Sequence, residues 1–199
     1  SASSANGGLT LSPEIATFDT AVVDLNGTSQ TVNALTATTD GTVIINNTSS
    51  TASALRFGAN NTAVNFGGGI GTYSIQNTGT GALDLVKLGS TSATFNSGVT
   101  VGNKGVIASE GGGSFIIAGP VTAAGGLRAI DASTLALTGG ISNPGLIKGI
   151  EVGGGSTLTL LDGAGSLINS LTTLSLGNTG TGTVNLNLNI GDSPTDTLT

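Results

Sequence analysis

The chain has 199 residues, of which 34 are glycine, 8% are charged and 3% are aromatic, and its five basic and eleven acidic residues give a net charge of −6. Cysteine and histidine are absent, which excludes disulfides and thiol chemistry and removes the commonest metal ligand and general base. The five Lys and Arg residues lie singly along the chain, which argues against nucleic acid as a partner.

Short apolar alternations separated by turn residues occupy the first half of the chain. Residues 1–8 are small and polar and could form a flexible N-terminal segment. Thr, Val and Ile favour pleated strands, Gly and Asn favour turns, and no window carries the apolar stripe of a helix. Strands are predicted over residues 9–11, 20–25, 30–37, 41–47, 54–59, 62–67, 71–77, 82–89 and 93–101.

Three similar segments follow, each beginning with a small residue: GSFIIAG at 113–119, STLALTG at 133–139 and STLTLLD at 156–162. Each starts about 20 residues after the one before, which is the length of one β-solenoid coil and too short for a βαβ unit. Extending the alignment to Gly41, Gly71 and Thr172 gives unequal steps, of which the longest runs from Gly71 to Gly113. We interpret that longest step as two coils.

These segments predict an all-β fold, a parallel β-helix of roughly seven or eight coils with negligible α-helix, each coil adding ~4.8 Å along the axis. Residues 1–199 are expected to form one solenoid domain. A β-sandwich is the alternative, but five Phe and one Tyr are few for a wide two-sheet core. Alternation predicts a lumen lined by aliphatic side chains, including those of Val43, Ile45, Ile116, Leu135, Leu137, Leu158, Leu160, Leu186 and Leu188.

The alternation is purest near the C-terminus, where residues 184–190 have the sequence VNLNLNI. Asn185, Asn187 and Asn189 are predicted to form one outward row, or an asparagine stack if neighbouring coils bring Asn into register. Neither end of the sequence shows a helix or charged loop that would cap a solenoid, so residues 184–199 could pair with a neighbouring subunit and propagate a filament. The competing hypothesis is a segment of a longer solenoid whose caps lie outside it.

Two stretches are similar to a known family: VVDLNGTSQTVNALT at residues 22–36 and LSLGNTGTGTVNLNLNIGDSPTDTLT at residues 174–199. They resemble autotransporter-associated β-strand repeats, which occur in large extracellular β-helical proteins of Gram-negative and related bacteria. The resemblance covers the first and last quarters of the chain. The middle shares only the general pattern of short apolar alternations and turns. It implies a right-handed parallel β-helix at the cell surface and implies no catalytic chemistry.

Catalysis is the less favoured interpretation. Some parallel β-helices are polysaccharide lyases or hydrolases, which use acidic clusters, often with calcium, and a basic residue. The nearest candidates here are Asp131 with Arg128 and Glu151 with Lys148, but residues three apart on a strand point to opposite faces, so solvated side chains are favoured. We therefore expect a non-enzymatic protein without catalytic, cofactor-binding or metal-binding residues.

The glycine runs favour a structural explanation. They occupy residues 67–71, 111–113 and 153–155. None is followed by the Lys-Ser or Lys-Thr of a phosphate loop, and none has the Asp of a calcium-binding nonapeptide. They are interpreted as turns.

The Asn- and Thr-rich composition raises two other functions. The sequons at Asn26, Asn46, Asn47 and Asn60 would be glycosylated in a eukaryotic secretory route, but in a chain of this composition they occur by chance. Thr-rich strands order water in ice-binding solenoids, which requires a Thr-x-Thr pair at constant spacing. The unequal steps between Thr pairs argue against that function.

The sequence is most consistent with a non-enzymatic extracellular structural protein, a self-associating solenoid that forms a cell-surface or secreted fibre or adhesive scaffold. The expected partner is another copy of the chain, with host or environmental glycans as a further candidate. No membrane insertion is expected, because no run approaches the ~18 apolar residues of a membrane helix. The alternatives are a carbohydrate-binding or polysaccharide-cleaving β-helix module, and a fragment of a larger autotransporter passenger that acts as an adhesin stalk.

Overall fold

A computed structural model shows an all-β solenoid and describes residues 7–13, 19–37, 40–161 and 171–188. Within these ranges the helical segments are two short 3-10 turns, Ala59–Asn61 and Pro144–Leu146. The strands are, in chain order, β1 (Leu9–Thr10), β2 (Thr20–Asp24), β3 (Gln30–Val32), β4 (Leu35–Ala37), β5 (Thr42–Asn46), β6 (Ser53–Phe57), β7 (Val64–Phe66), β8 (Thr72–Gln76), β9 (Leu83–Lys87), β10 (Ala93–Phe95), β11 (Val99–Gly102), β12 (Lys104–Ser109), β13 (Ser114–Ile117), β14 (Gly126–Ala129), β15 (Thr134–Leu137), β16 (Gly149–Val152), β17 (Thr157–Leu160), β18 (Thr173–Leu176) and β19 (Asn185–Leu188).

The strands form three parallel sheets. Sheet 1 has the order β1-β4-β7-β10-β13-β15-β17-β19, sheet 2 the order β2-β5-β8-β11, and sheet 3 the order β3-β6-β9-β12-β14-β16-β18. Every strand pairs in parallel with its counterpart one coil away. In the later coils sheet 2 shrinks to single bridges from Val101 to Val121 and from Val121 to Ile141. The predicted parallel β-helix is thus confirmed, with about seven turns.

The length of a coil varies along the axis. Thr42 on β5 is in register with Thr72 on β8, whereas Ser114 on β13 is in register with Thr134 on β15, so the earlier coils are the longer ones. Thr134 is in turn in register with Thr157, which confirms the two coils predicted from the three similar segments. The interpretation of the step from Gly71 to Gly113 as two coils is wrong, because Gly71 precedes a strand of sheet 2 and Gly113 a strand of sheet 1.

Inward-facing side chains line the lumen in columns, one coil above another. Leu186 and Leu188 on β19 are partly buried against this core, as predicted. Alternation identified the buried face correctly wherever the opposite face is polar. Six further predicted lumen residues are completely buried: Val43, Ile45, Leu135, Leu137, Leu158 and Leu160.

The prediction for Ile116 is wrong. Its side chain lies on the outer face of β13 and is only partly buried, whereas Phe115 and Ile117 on either side are completely buried. Because this run is apolar at both parities, alternation could not choose the inward face. The choice is made by the register, which aligns Phe115 with Ala93 and Leu135 in a column of buried residues.

An aromatic cluster fills the longer coils, where the sequence predicts aliphatic residues. Phe57, Phe66, Tyr73, Phe95 and Phe115 are completely buried. Phe95 is central, since its ring centroid lies 5.1 Å from that of Phe66, 5.5 Å from that of Phe57 and 5.0 Å from that of Phe115. Tilted and edge-to-face contacts of this kind add stability beyond that of the buried area.

Truncation of neighbouring residues on β13 tests the assigned faces. We expect Phe115→Ala to lower the free energy of unfolding by about 3–5 kcal/mol, because it leaves a cavity beside two other rings. Ile116→Ala, on the outer face, should lower it by about 1 kcal/mol or less. Urea unfolding measures both values. Equal losses would contradict the orientation of this strand.

An asparagine ladder lies inside the turn that joins sheet 2 to sheet 3. Asn47, Asn77 and Asn103 follow β5, β8 and β11, lie in register one coil apart, and are buried. The Nδ2 of Asn103 donates to the carbonyl oxygen of Leu83 at 2.7 Å, and the Nδ2 of Asn77 donates to that of Asn103 at 3.2 Å. Asn47 donates to the carbonyl oxygen of Gly81 at 3.1 Å. These amides satisfy backbone carbonyls at a turn, where the strand hydrogen bonds stop.

Loss of one ladder residue should destabilise the solenoid. We expect Asn103→Ala to cost about 1–3 kcal/mol, because the buried carbonyl of Leu83 loses a donor. The matched control is Asn187→Ala on the outer face of sheet 1, where the cost should stay within about 0.5 kcal/mol. Thermal unfolding of the two variants gives the comparison, and indistinguishable melting temperatures would argue against a stabilising ladder.

Candidate functional site

The two ends of the described solenoid are the surfaces that differ most from its polar sides. At the first coil, a hollow of about 460 Å³ opens beside β1, β2 and β3. Its apolar lining includes Leu9, Val23, Leu25, Val32 and Leu55. These residues belong to the lumen or pack against it, so the hollow is the open end of the core.

The last described coil exposes the leucines that continue the same core. Leu174 on β18 is in register with Ile150, and Leu176 is in register with Val152. Ile150 and Val152 are 2% and 0% exposed, whereas Leu174 and Leu176 are 53% and 48% exposed. Within the described residues, these two columns of the lumen therefore end in exposed leucines.

Both ends also present sheet edges. Among the strands that the structure describes, β1 and β19 are the outermost of sheet 1, and β3 and β18 are the outermost of sheet 3. An outermost strand offers N–H and C=O groups to a further parallel strand. Residues 171–188 contain no charged side chain.

Asp24 fixes the rim of the N-terminal hollow to the next coil. Its carboxylate accepts a hydrogen bond of 2.6 Å from the hydroxyl of Thr48 and further bonds from the backbone N–H groups of Asn26 and Thr48. The pKa of Asp24 is lowered, chiefly because the Thr48 hydroxyl donates to the charged form. These bonds tie the rim of the hollow to the turn that follows β5.

Lys87 is a completely buried cation at the end of β9. It faces the lumen in register with Phe57 and Ser109, and its Nζ donates to the carbonyl oxygen of Gly89. No carboxylate forms an ion pair with it in the part of the chain that the structure describes. Burial lowers the pKa of Lys87 below its ordinary value, because the charged form loses hydration.

The buried cation makes stability depend on pH. Since the folded pKa of Lys87 is lowered from 10.5, the unfolded chain binds more protons just below pH 10.5, and stability from this group rises with pH in that range. We expect Lys87→Met to melt at a higher temperature than the wild type at pH 7, with the gap narrowing as pH approaches 10.5. Scanning calorimetry across this range measures the difference between the two melting temperatures. The other lysines are present in both proteins, so their titration affects both melting temperatures equally. A gap independent of pH would show that Lys87 titrates normally.

The pairs considered for catalysis do not meet. Arg128 forms an ion pair with Glu110 rather than with Asp131, which lies in a turn with φ of 59°. The Nζ of Lys148 donates to the carbonyl oxygen of Gly145 at 2.7 Å and does not pair with Glu151. Among the described residues, no three Asp or Glu side chains gather into a potential metal site.

The outer face of sheet 1 is a ladder of uncharged side chains. Asn185 and Asn187 point outward, as predicted, and their Nδ2 atoms lie 3.4 and 3.2 Å from the hydroxyls of Thr157 and Thr159. Asn189 lies outside the described residues. A regular Thr-x-Thr array is not formed on the adjacent strands, whose outward pairs are Ser114 and Ile116, Thr134 and Ala136, Thr157 and Thr159, and Asn185 and Asn187.

The four sequons differ in accessibility. Asn46 is 7% exposed and Asn47 is 0% exposed, so neither amide is accessible to a glycosyltransferase in the folded chain. Asn26 and Asn60 are exposed, and both have positive φ in turns. Two of the four sequons therefore serve the fold, one of them as a rung of the asparagine ladder.

Sequence reasoning missed the asparagine ladder and the burial of Lys87. The ladder has a detectable signal, because IINN, SIQN and VGN each end a segment of sheet 2 with Asn. Lys87 has no clear signal: it shares the inward parity of Leu83 and Leu85, but the neighbouring Val86 is apolar and buried as well, so the pattern does not point to a buried lysine. A lysine at the end of a strand is normally exposed.

Comparison with protein-family models, with characterised proteins and with solved structures finds no match to this chain. The described residues include no helix of the length and apolarity needed to cross a bilayer. The structure shows a parallel β-solenoid, consistent with a β-helix repeat protein.

Proposed function

We propose that this chain is a non-enzymatic extracellular structural protein, a solenoid that associates end to end into a fibre or adhesive scaffold. The observation that carries the proposal is the complementarity of its ends. One end has an apolar hollow, and the other exposes Leu174 and Leu176 on the continuation of the lumen. The resemblance of two stretches to autotransporter-associated repeats favours a bacterial cell-surface setting.

The contact between two copies would use the same parallel strand pairing that joins successive coils within one copy. Stacking one copy on the next brings β19 beside β1 and β18 beside β3, so sheets 1 and 3 continue together. The exposed leucines would then pack at the hollow against Leu9, Val22 and Val23, the apolar lining residues that retain exposed surface. The two surfaces are different, so the contact is head to tail and propagates as a filament unless it closes into a ring.

The same ends would suit further coils of one longer chain. In that case the described solenoid is part of an autotransporter passenger that acts as an adhesin stalk. The carbohydrate-cleaving alternative has less support, because the five aromatic rings of the described residues are buried and offer no platform for a sugar ring.

Variants that block one end each test the head-to-tail contact. Val22→Asp places a charge at the rim of the hollow, and Leu174→Asp with Leu176→Asp places two at the opposite end. We expect each to abolish the filaments that the wild type forms, as seen by electron microscopy. A mixture of the two should give a discrete dimer by analytical ultracentrifugation, since each variant keeps one functional end.

The matched control carries Ile70→Asp and Leu146→Asp, which change exposed apolar residues away from both ends and should leave assembly intact. Wild-type protein that stays monomeric at high concentration would overturn end-to-end assembly of this chain. Filaments that persist in both blocked variants would place the contact elsewhere on the surface.

A further inference from the structure

The turn between β2 and β3 contains an Asn-Gly pair, Asn26 followed by Gly27. The backbone N–H of Thr28 donates to the carbonyl oxygen of Leu25 at 2.8 Å, which closes a β-turn around the pair. Both central residues have positive φ, 44° at Asn26 and 77° at Gly27, so the turn is of type I′. It lies at the rim of the N-terminal hollow, which Asn26 helps to line.

The fold requires glycine after Asn26. A Cβ atom on Gly27 would lie 2.8 Å from the hydroxyl oxygen of Ser49 and 2.9 Å from the Cβ atom of Thr51 in the next coil. The positive φ of Gly27 is also strained for any residue with a side chain. Asparagine is a chemically labile residue, and it is most labile before glycine, because no side chain then shields the following backbone nitrogen from the Asn amide.

The reaction in question is deamidation, in which the nitrogen of Gly27 attacks the Cγ of Asn26. The nitrogen loses its proton to water, the N–Cγ bond forms and the Cγ–Nδ2 bond breaks, so that ammonia leaves and a five-membered succinimide remains. Water then opens the ring at either carbonyl group, which gives aspartate or isoaspartate at position 26. Asn26 is exposed, so water reaches its side chain.

Two features of the folded chain oppose this attack. The N–H of Gly27 donates to the Oδ1 of Asn47 at 2.9 Å, which keeps the proton on the nitrogen. In a type I′ turn the first central residue has a ψ of about +30°, which points the nitrogen of Gly27 away from the side chain of Asn26. Asn47 is itself completely buried and fixed, because its Nδ2 donates to the carbonyl oxygens of Thr51 and Gly81, both at 3.1 Å.

We propose that Asn26 is a site of spontaneous deamidation, and that the buried amide of Asn47 restrains the reaction in the folded chain. Asn47 is distinct among the rungs of the ladder, because its Oδ1 accepts from the backbone. The Oδ1 atoms of Asn77 and Asn103 accept no hydrogen bond from the described residues. Deamidation would add a carboxylate at the rim of the hollow, two residues from Asp24. The modification is detected on the chain itself, so the inference does not rest on end-to-end assembly.

Incubation of the full chain near neutral pH, followed by peptide mass spectrometry, measures the rate of deamidation at Asn26. We expect the wild type to react at least about tenfold more slowly in native buffer than in urea. In Asn47→Ala the rate in native buffer should rise roughly tenfold, the factor that one hydrogen bond of ordinary strength supports. Hydrogen exchange at the amide of Gly27, followed by NMR, should be slow in the wild type and fast in Asn47→Ala.

Asn103→Ala is the matched control, because it removes another rung of the ladder and leaves the hydrogen bond of Gly27 in place. Its rate at Asn26 should stay close to that of the wild type. Asn6, which lies outside the described residues, precedes the other Asn-Gly pair of the sequence and serves as an internal reference within each protein.

Equal rates at Asn26 in native buffer and in urea would overturn the proposal without any variant. A rate in Asn47→Ala no higher than in Asn103→Ala would show that Asn47 does not restrain the reaction. If Asn47→Ala fails to fold, the exchange measurement on the wild type decides, since fast exchange at Gly27 would exclude the restraining hydrogen bond and slow exchange would support it.

Discussion

The parallel register between successive coils is the interaction on which the rest of the structure depends. Each strand forms its backbone hydrogen bonds with the strand one coil away, so equivalent positions stack in columns. Similar side chains then stack on one another: Phe66 lies in register with Phe95 and Leu135 with Leu158, and the Nδ2 of Asn77 donates to the carbonyl oxygen of Asn103. Stability therefore comes from repetition of one contact along the axis rather than from a central core.

Because every coil repeats the same turns, the polar backbone groups of each turn need hydrogen-bond partners in every coil. Where sheet 2 ends, the amides of Asn47, Asn77 and Asn103 supply donors to backbone carbonyls inside the protein. Lys87 does the same for Gly89 at the end of sheet 3, at the cost of burying a cation. Both solutions place polar atoms inside the protein, so each makes the arrangement of its coil more specific. The asparagine amides also stabilise their coils, whereas the buried charge of Lys87 lowers stability.

Charge is distributed unevenly among the three sheets. The strands of sheet 1 contain no charged residue, whereas those of sheet 3 contain Arg56, Asp84, Lys87, Lys104, Arg128 and Glu151. The last described coil, which contains no charged residue, presents the exposed leucines.

The sequence by itself determined the all-β class, the parallel solenoid and the inward face of most segments, because a period of about 20 residues and strict alternation in runs such as STLTL are local properties. It could not orient Phe115 and Ile116, where both parities are apolar, or recognise that Gly41 and Gly113 begin strands of different sheets. Only the tertiary structure decided which residues of successive coils stack in the same column. The asparagine ladder and the burial of Lys87 each arise from residues on successive coils, far apart in the sequence, that only the register between coils brings together.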